Sequence, residues 1–363
     1  MKVETQKIAN LESMRFLFAL MIFFHHFLVV DGKSLFEAGG PCAVSFFFIT
    51  SGFVMMAGYG AKVTKPDFGY FSYLKKRLLR LYPVHVLCLL VLMPGIWCSL
   101  VSHHEVHYGI VAYLVANLLL LQSWIPSEQA YFFGNPVSWF FSDMLFFYML
   151  FPFVIRIINK FKKCGRCLLF LSMLGCYFVA MLLVPQKLVS GLFYINPLFR
   201  VVDFVIGIAL YRLLFSGIAW KYWNGMGQMT FVAKSVLEVL CVILLVVAIT
   251  CAHFVPDRCF VACYFWLPMS VLLTVFVLLD GVGGFISRLL SSHILVSLSS
   301  LSLIFYMIHL LVIHYFGDFL LKQRINIAWI WSIPAYIIGI TLLSYLIDHY
   351  YESPIVSFFN GKR

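Results

Sequence analysis

Ser235-Val-Leu-Glu-Val-Leu-Cys-Val-Ile-Leu-Leu-Val-Val-Ala-Ile-Thr-Cys-Ala-His-Phe254 carries one charge, Glu238, in twenty residues. A helix of that length matches the roughly 30 Å hydrocarbon thickness of a bilayer, and no water-facing helix is so uniformly apolar. Outward from it, similar runs lie near 14–30, 41–60, 82–101, 109–124, 137–156, 167–184, 194–215, 259–279, 293–315 and 327–349. Over all 363 residues the chain is 63% hydrophobic and 11% charged, against roughly 45–50% and about 25% in an ordinary globular protein. One core of this size cannot hide that much apolar surface, so the surrounding medium must itself be apolar. The composition excludes a disordered chain, a nucleic-acid-binding domain and a small disulfide scaffold. It predicts an all-α, polytopic membrane bundle.

The net charge of +11 is distributed in blocks, Lys75, Lys76, Arg77 and Arg80, then Arg156, Lys160, Lys162, Lys163 and Arg166. Such blocks mark cytoplasmic loops. If every apolar run crossed, the block at 156–166 would fall outside. Reading 109–124 as a short re-entrant or interfacial piece returns that block to the cytoplasm, together with Arg212, Lys221, Lys234 and Arg288. The expectation is ten transmembrane spans, with Lys2, Lys7, Lys362 and Arg363 placing both termini inside. The chain 1–363 reads as a single domain. Arg15 and two histidines interrupt the first run, which argues against a cleavable signal peptide. Cys88, Cys176, Cys241 and Cys263 lie within apolar runs and read as buried or lipid-facing thiols.

Charged groups near a bilayer centre cost about 2.5–3.5 kcal/mol on insertion scales, so each is a candidate for function. Arg15 and His26 stand eleven positions apart, which on a helix puts them about 20° apart and roughly 16 Å along the axis. His25 points elsewhere. Ser299, Ser302, Tyr306 and His309 follow one another at steps of three and four, giving one stripe. The serines suit helix–helix hydrogen bonding, and His309 suits either that role or a polar cavity. Arg200 and Asp203, three apart, suit a structural ion pair or a ligand contact equally. Arg77 and Arg80 put two guanidinium groups side by side before Tyr82-Pro83, at an expected cytoplasmic helix start. That arrangement suits either phosphate or a solvated basic face.

Other patterns carry less. His103, His104 and His107 around Glu105 lack the order of a helical zinc motif. Cys164 and Cys167 have CxxC spacing but stand alone in a basic loop. No phosphate-binding glycine loop, dinucleotide fingerprint or nucleophile elbow is present, and no metal is expected.

Several strings, taken in order, resemble the acyltransferase-3 family of integral membrane acyltransferases, which modify cell-surface glycans in bacteria. Arg15, followed after ten residues by His26-Phe27, is similar to that family's Arg-x10-His. Phe46-Phe47-Phe48-Ile49-Thr50-Ser51-Gly52-Phe53 resembles its Phe-Phe-x-x-Ser-Gly-Phe. Arg77-Leu-Leu-Arg80-Leu-Tyr82-Pro83 resembles Arg-x-x-Arg-x-Tyr-Pro, and Trp139 through Tyr148 to Pro152 its Trp-…-Tyr-x-x-x-Pro span. Arg200-Val-Val-Asp203-Phe204-Val-Ile-Gly207 follows Arg-x-x-Glu-Phe-x-x-Gly with Asp for Glu. Ser302, Tyr306 and His309 match Ser-x-x-x-Tyr-x-x-His, and Glu352-Ser-Pro354 the closing Glu-x-Pro. There are departures. Met144 stands where the family often has Glu, with Asp143 one position early, a turn of about 100° on a helix. Ala43 and Ser45 replace a Gly and an Asp common before the phenylalanines.

The resemblance implies transfer of an acyl group, usually acetyl, from cytoplasmic acyl-CoA to a hydroxyl of a cell-surface or lipid-linked saccharide, at a bacterial inner membrane. A sugar hydroxyl is a poor nucleophile at neutral pH, and imidazole is the efficient base for it. His26 is therefore expected as the base, with transient acyl-histidine as a variant. Arg15 is expected either to orient His26 through intervening groups or to anchor donor phosphate. Arg77 and Arg80 are expected to hold the CoA phosphates. Ser51, Trp139, Asp143, Arg200, Asp203, Tyr306 and His309 are expected around the substrates. A competing reading is a proton-coupled transporter or flippase of a saccharide-type substrate, with His26, Asp143, Asp203 and His309 as its relay.

Overall fold

The computed structural model describes residues 8–27, 34–102, 107–216, 228–322 and 329–361. Among them it is helical throughout, with no β-strand. Eight helices are long and apolar enough to cross a membrane, and a ninth candidate is bent by 48° between Gln186–Ile195 and Pro197–Leu214. The bend has a local cause. Pro197 biases Asn196 to an extended backbone, and the Asn196 side chain then accepts from the Leu198 N–H at 3.0 Å, starting a new helix. The termini Lys2, Lys7, Lys362 and Arg363, loop residue Lys221, and His103, His104 and Glu105 lie outside the described residues, as does the side chain of His107.

The long elements are α1 (Ala9–His26), α2 (Gly39–Tyr59), α3 (Tyr70–Ser102), α4 (His107–Leu118), α5 (Trp139–Lys160), α6 (Lys163–Leu183), α7 (Pro197–Leu214), α8 (Phe231–Thr250), α9 (Trp266–Leu278), α10 (Ser302–Lys322) and α11 (Trp329–Ile347). α1, the expected first span, is not among these crossing candidates, because Glu12, Arg15, His25 and His26 interrupt it. Protein rather than lipid surrounds it: Leu11, Met14, Phe16, Phe18, Ile22 and Phe23 are all buried, against α2, α10 and the short helix His293–Ser299. Peripheral α6 is the opposite case, with only Tyr177 and Met181 buried. Its apolar surface is available to lipid.

α2 and α7 form the tightest pairing. A β-carbon on Gly52 would fall inside the Phe204 carbonyl, and one on Gly207 inside the Ile49 carbonyl. Two glycines therefore let the backbones touch, as in small-residue contacts between membrane helices.

Three sequence expectations change. The third span begins at Tyr70 rather than near 82, so Arg77 and Arg80 lie inside a 33-residue helix, not before one. Pro83 is accommodated within it. The run near 293–315 is two helices, His293–Ser299 and α10, meeting at Ser300-Leu301. The expected short piece near 109–124 is present as α4, twelve residues long and so about 18 Å, but the irregular chain continues to Ser138. It turns at Leu120, whose φ is 55°, and passes through short helical turns at 122–124, 128–131 and 136–138. Buried polar contacts hold this segment in place: His85 Nε2 donates to the Asn117 carbonyl at 2.9 Å, Asn117 Nδ2 to Phe133 O at 2.7 Å, and Asn135 Nδ2 to Met307 O of α10 at 2.8 Å. Irregular backbone survives at membrane depth only where protein covers it in this way.

Two carboxylates that carry no sequence signature secure the end of the bundle where α1 begins. Ile8 provides no cap for α1, and Asp280 Oδ1 accepts from the Asn10 N–H at 3.0 Å instead. Glu238 of α8, fully buried, accepts from Gly284 N at 2.7 Å and Ile286 N at 2.8 Å. Each places a carboxyl acceptor, carried by a distant segment, on the free N–H groups of a helix N-terminus.

Candidate functional site

At this same end, α1, α2, α3, α5 and α10 enclose a cavity of about 380 Å³. Arg15, Lys76, Arg77 and Arg80 line it against a single acid, Glu12. Arg15 Nη1 reaches both Glu12 oxygens at 3.0 Å, an i,i+3 pair that fixes the side chain. Arg77 is held differently. Its Nη2 donates to the Tyr59 hydroxyl at 2.8 Å, and its guanidinium lies 4.7 Å from the Tyr59 ring centroid and 5.7 Å from that of Tyr148. Stacking of this kind orients a guanidinium while leaving N–H groups to spare. Arg80 is exposed at the rim. Ser51, Tyr148, Ser299, Ser302 and Tyr306 complete the polar lining, with Phe47, Phe140 and Met144 as apolar wall. The arrangement can take a polyanion, with an apolar and hydroxyl-bearing inner wall beyond it.

Tyr306 leads from the cavity to the histidines. Its hydroxyl donates to the Val137 carbonyl at 2.8 Å, and one turn farther along α10 sits His309, completely buried. His309 Nδ1 lies 2.6 Å from the Tyr306 carbonyl. A carbonyl only accepts, so Nδ1 carries the proton and Nε2 keeps a lone pair. That Nε2 has no hydrogen-bond partner among the described residues. The half-buried His26 ring is 5.3 Å from the His309 ring, centroid to centroid. His25 is occupied otherwise. Its Nδ1 donates to the Glu37 carbonyl at 2.8 Å, and its ring lies where a β-carbon on Gly40 would be 2.8 Å away. One histidine of the pair holds α1 to the segment before α2, while the other is left to meet His309.

Arg15 is brought to Arg77 and Arg80, not to His26, which stands about three helical turns away on α1. Trp139, Asp143, Arg200 and Asp203 form a separate buried cluster between α2, α5 and α7, and none of them lines the cavity. Arg200, fully buried, has Nη1 3.5 Å from Asp203 Oδ1, and its guanidinium lies 5.0 Å from the Phe48 ring and 5.7 Å from the Tyr194 ring. Trp139 packs on the Tyr194 ring at 5.2 Å. The Asp143 carboxylate makes no hydrogen bond among the described residues. No direct hydrogen bond among the described residues joins this cluster to His26 or His309.

A sequence profile of the acyltransferase domain matches residues 8–349, which includes every residue of the cavity and both histidines. The chain belongs to the acyltransferase-3 family. Acyltransferase MdmB from Streptomyces mycarofaciens is 28% identical over 306 residues, which cover 81% of this chain and 73% of MdmB. No solved structure matches the chain.

In this acyltransferase the departure at position 144 has a structural meaning. Met144 faces the cavity and Asp143 faces away from it, as one residue step on a helix requires. The cavity wall is therefore apolar at this position, and Asp143 lies in the buried cluster instead. The sequence had not pointed to Glu12, Tyr59 or Tyr148 as partners of the arginines. Lys76 stood in a recognisable basic block, but its place on the cavity depends on how α3 is rotated. Cys164 and Cys167 are free and exposed at the start of α6.

Proposed function

We propose that this membrane acyltransferase moves an acyl group, acetyl in the first instance, from cytoplasmic acyl-CoA to a saccharide hydroxyl, with His26 as general base. The observation that carries the reading is the convergence of three arginines and a lysine on one cavity whose inner wall, Tyr306, adjoins the His26–His309 pair. Arg15, Arg77 and Arg80 hold the donor phosphates, and the thioester arm extends past Tyr306 towards His26. The hydroxyl attacks the thioester carbonyl as its proton passes to His26. The new C–O bond forms, the C–S bond breaks, and the proton leaves with the CoA thiol. In the reacting state the unpartnered Nε2 of His309 takes an N–H from His26 and so leaves the other nitrogen of His26 free to take the hydroxyl proton. The logic is that of an oriented imidazole in a nucleophile–base–orienter set.

In this reading the eight long helices, the bent pair and α1 make ten spans of the bacterial inner membrane. The basic end and both termini lie in the cytoplasm, and the acceptor arrives from the opposite side.

The test is direct. Purified protein incubated with labelled acetyl-CoA and crude surface glycan should yield labelled sugar, and Arg77→Ala/Arg80→Ala should weaken acetyl-CoA binding by roughly 10-fold or more. Saccharide flux across vesicles without any acyl donor, and no labelled product, would replace this reading with the transporter. Unchanged donor affinity in the double variant would leave those arginines with a topological role alone.

A further inference from the structure

Beside the cavity lies a second groove of about 380 Å³ between α3 and the C-terminal segment. Lys76 and Arg80 line both spaces and so form the wall between them. The far side of the groove is chemically different from the cavity. It presents Asp348, Glu352, Ser353 and Asn360. Asp348–Glu352 is wound as a π-helix, a local underwinding of the kind that recurs at functional sites. Glu352 is only 8% exposed, and its Oε2 has no hydrogen-bond partner among the described residues although the side chain lines the groove. A buried carboxylate oxygen without a donor is costly unless something supplies one. Asp348 is less demanding, since the Ser353 hydroxyl donates to its Oδ1 at 3.3 Å.

We infer that this groove receives the nucleoside end of the acyl-CoA donor. The inference rests on the acyl-CoA reading above and extends it from the phosphates to the rest of the coenzyme. The Asp348 and Glu352 carboxylates accept well from the exocyclic amine of adenine and from the free ribose 2′-hydroxyl, while the ribose 3′-phosphate lies towards Lys76 and Arg80 on the opposite wall. The Asn360 amide can both give and accept at a base edge. Lys76 and Arg80, shared by the two spaces, sit where the phosphates between nucleoside and pantetheine arm would lie. An acyl-CoA is also long: a nucleotide, a diphosphate and an extended thiol arm exceed one space of about 380 Å³. They suit two such spaces joined at a basic wall.

The experiment compares two donors by titration into the purified protein: acetyl-CoA, and S-acetyl-4′-phosphopantetheine, which lacks the adenosine 3′,5′-bisphosphate portion. The wild type should bind acetyl-CoA about tenfold or more tightly than the truncated thioester, through nucleoside hydrogen bonds together with the phosphate contacts that the truncated donor lacks. Glu352→Gln should narrow that ratio by weakening acetyl-CoA alone, and because Glu352 is buried, the more exposed Asn360→Ala and Asp348→Asn provide the same test without a folding burden. Equal wild-type affinities for the two donors, or variants that weaken both to the same degree, would overturn the nucleoside site while leaving the acyl-CoA reading intact. Failure of both donors to bind would instead remove the acyl-CoA reading itself.

Discussion

At the scale of single residues, adjacent His25 and His26 have separate tasks because one helical step turns them about 100° apart. His26→Ala should therefore lower acyl transfer by about 10²–10⁴-fold, the usual worth of a positioned base, with normal membrane insertion. His25→Ala should keep most of the transfer activity but melt at a lower temperature, since it loses the bond to Glu37 and the packing on Gly40. Equal transfer by both variants in the labelled-sugar assay would take the base away from His26. Asp280 offers a test in pH. Burial pushes its carboxyl above the usual aspartate range, against the opposing hydrogen bonds from Asn10 and Ala9. With the folded value raised, the folded state holds a proton that the unfolded chain has already released. Stability from this group is thus present at low pH and is lost as pH rises from the unfolded value through the folded one. Asp280→Asn keeps an acceptor for the Asn10 N–H and should flatten that slope in thermal melts between pH 4 and pH 7, whereas Asp280→Ala should lower the melting temperature across the range through loss of the cap.

At the scale of elements, the site depends on how closely α2 and α7 approach. α2 carries Ser51 to the cavity on one side and Phe48 to Arg200 on the other. That double contact requires the backbone-to-backbone crossing at Gly52 and Gly207. Gly52→Ala is expected to force the helices apart and cost at least about 1–3 kcal/mol, as overpacking does, with a second loss in acyl transfer because Ser51 moves with the helix. A control at Gly58, where a β-carbon meets nothing within 4 Å, should leave the melting temperature within a degree or so of the wild type. If Gly52→Ala melted like that control, the close crossing would not be what holds the site together. The glycines were legible as members of short motifs. Their partnership was not, since nothing in either motif names the other helix.

At the scale of the whole molecule, charge asymmetry and helix packing agree. Arg15, Lys76, Arg77 and Arg80 gather at one end of the bundle. Arg156, near the end of α5, reaches back to the Val63 carbonyl at 3.3 Å, beside the start of α3. Exposed Cys164 and Cys167, at the start of α6, provide a natural reporter of which side that end faces. In a variant retaining only these two cysteines, a membrane-impermeant maleimide should label inverted vesicles and spare intact cells. Labelling of intact cells would turn the bundle over and put the basic cavity out of reach of cytoplasmic acyl-CoA.

The membrane-helical architecture, the basic blocks, the pairing of Arg77 with Arg80 and the separation of His26 from His25 were all determined by the sequence alone. Each is a matter of apolar length or of angle within one helix, and such quantities are local. Tertiary structure alone decided that Arg15 belongs with the α3 arginines rather than with His26, that Asp143 turns away from the cavity that Met144 lines, and that Glu238 and Asp280 cap distant helices. It also placed the C-terminal carboxylates across Lys76 and Arg80 from the cavity. A periodic pattern states which residues share a face of a helix. Which neighbour that face meets is settled by packing between segments far apart in the chain, here above all by two glycines that let α2 and α7 touch.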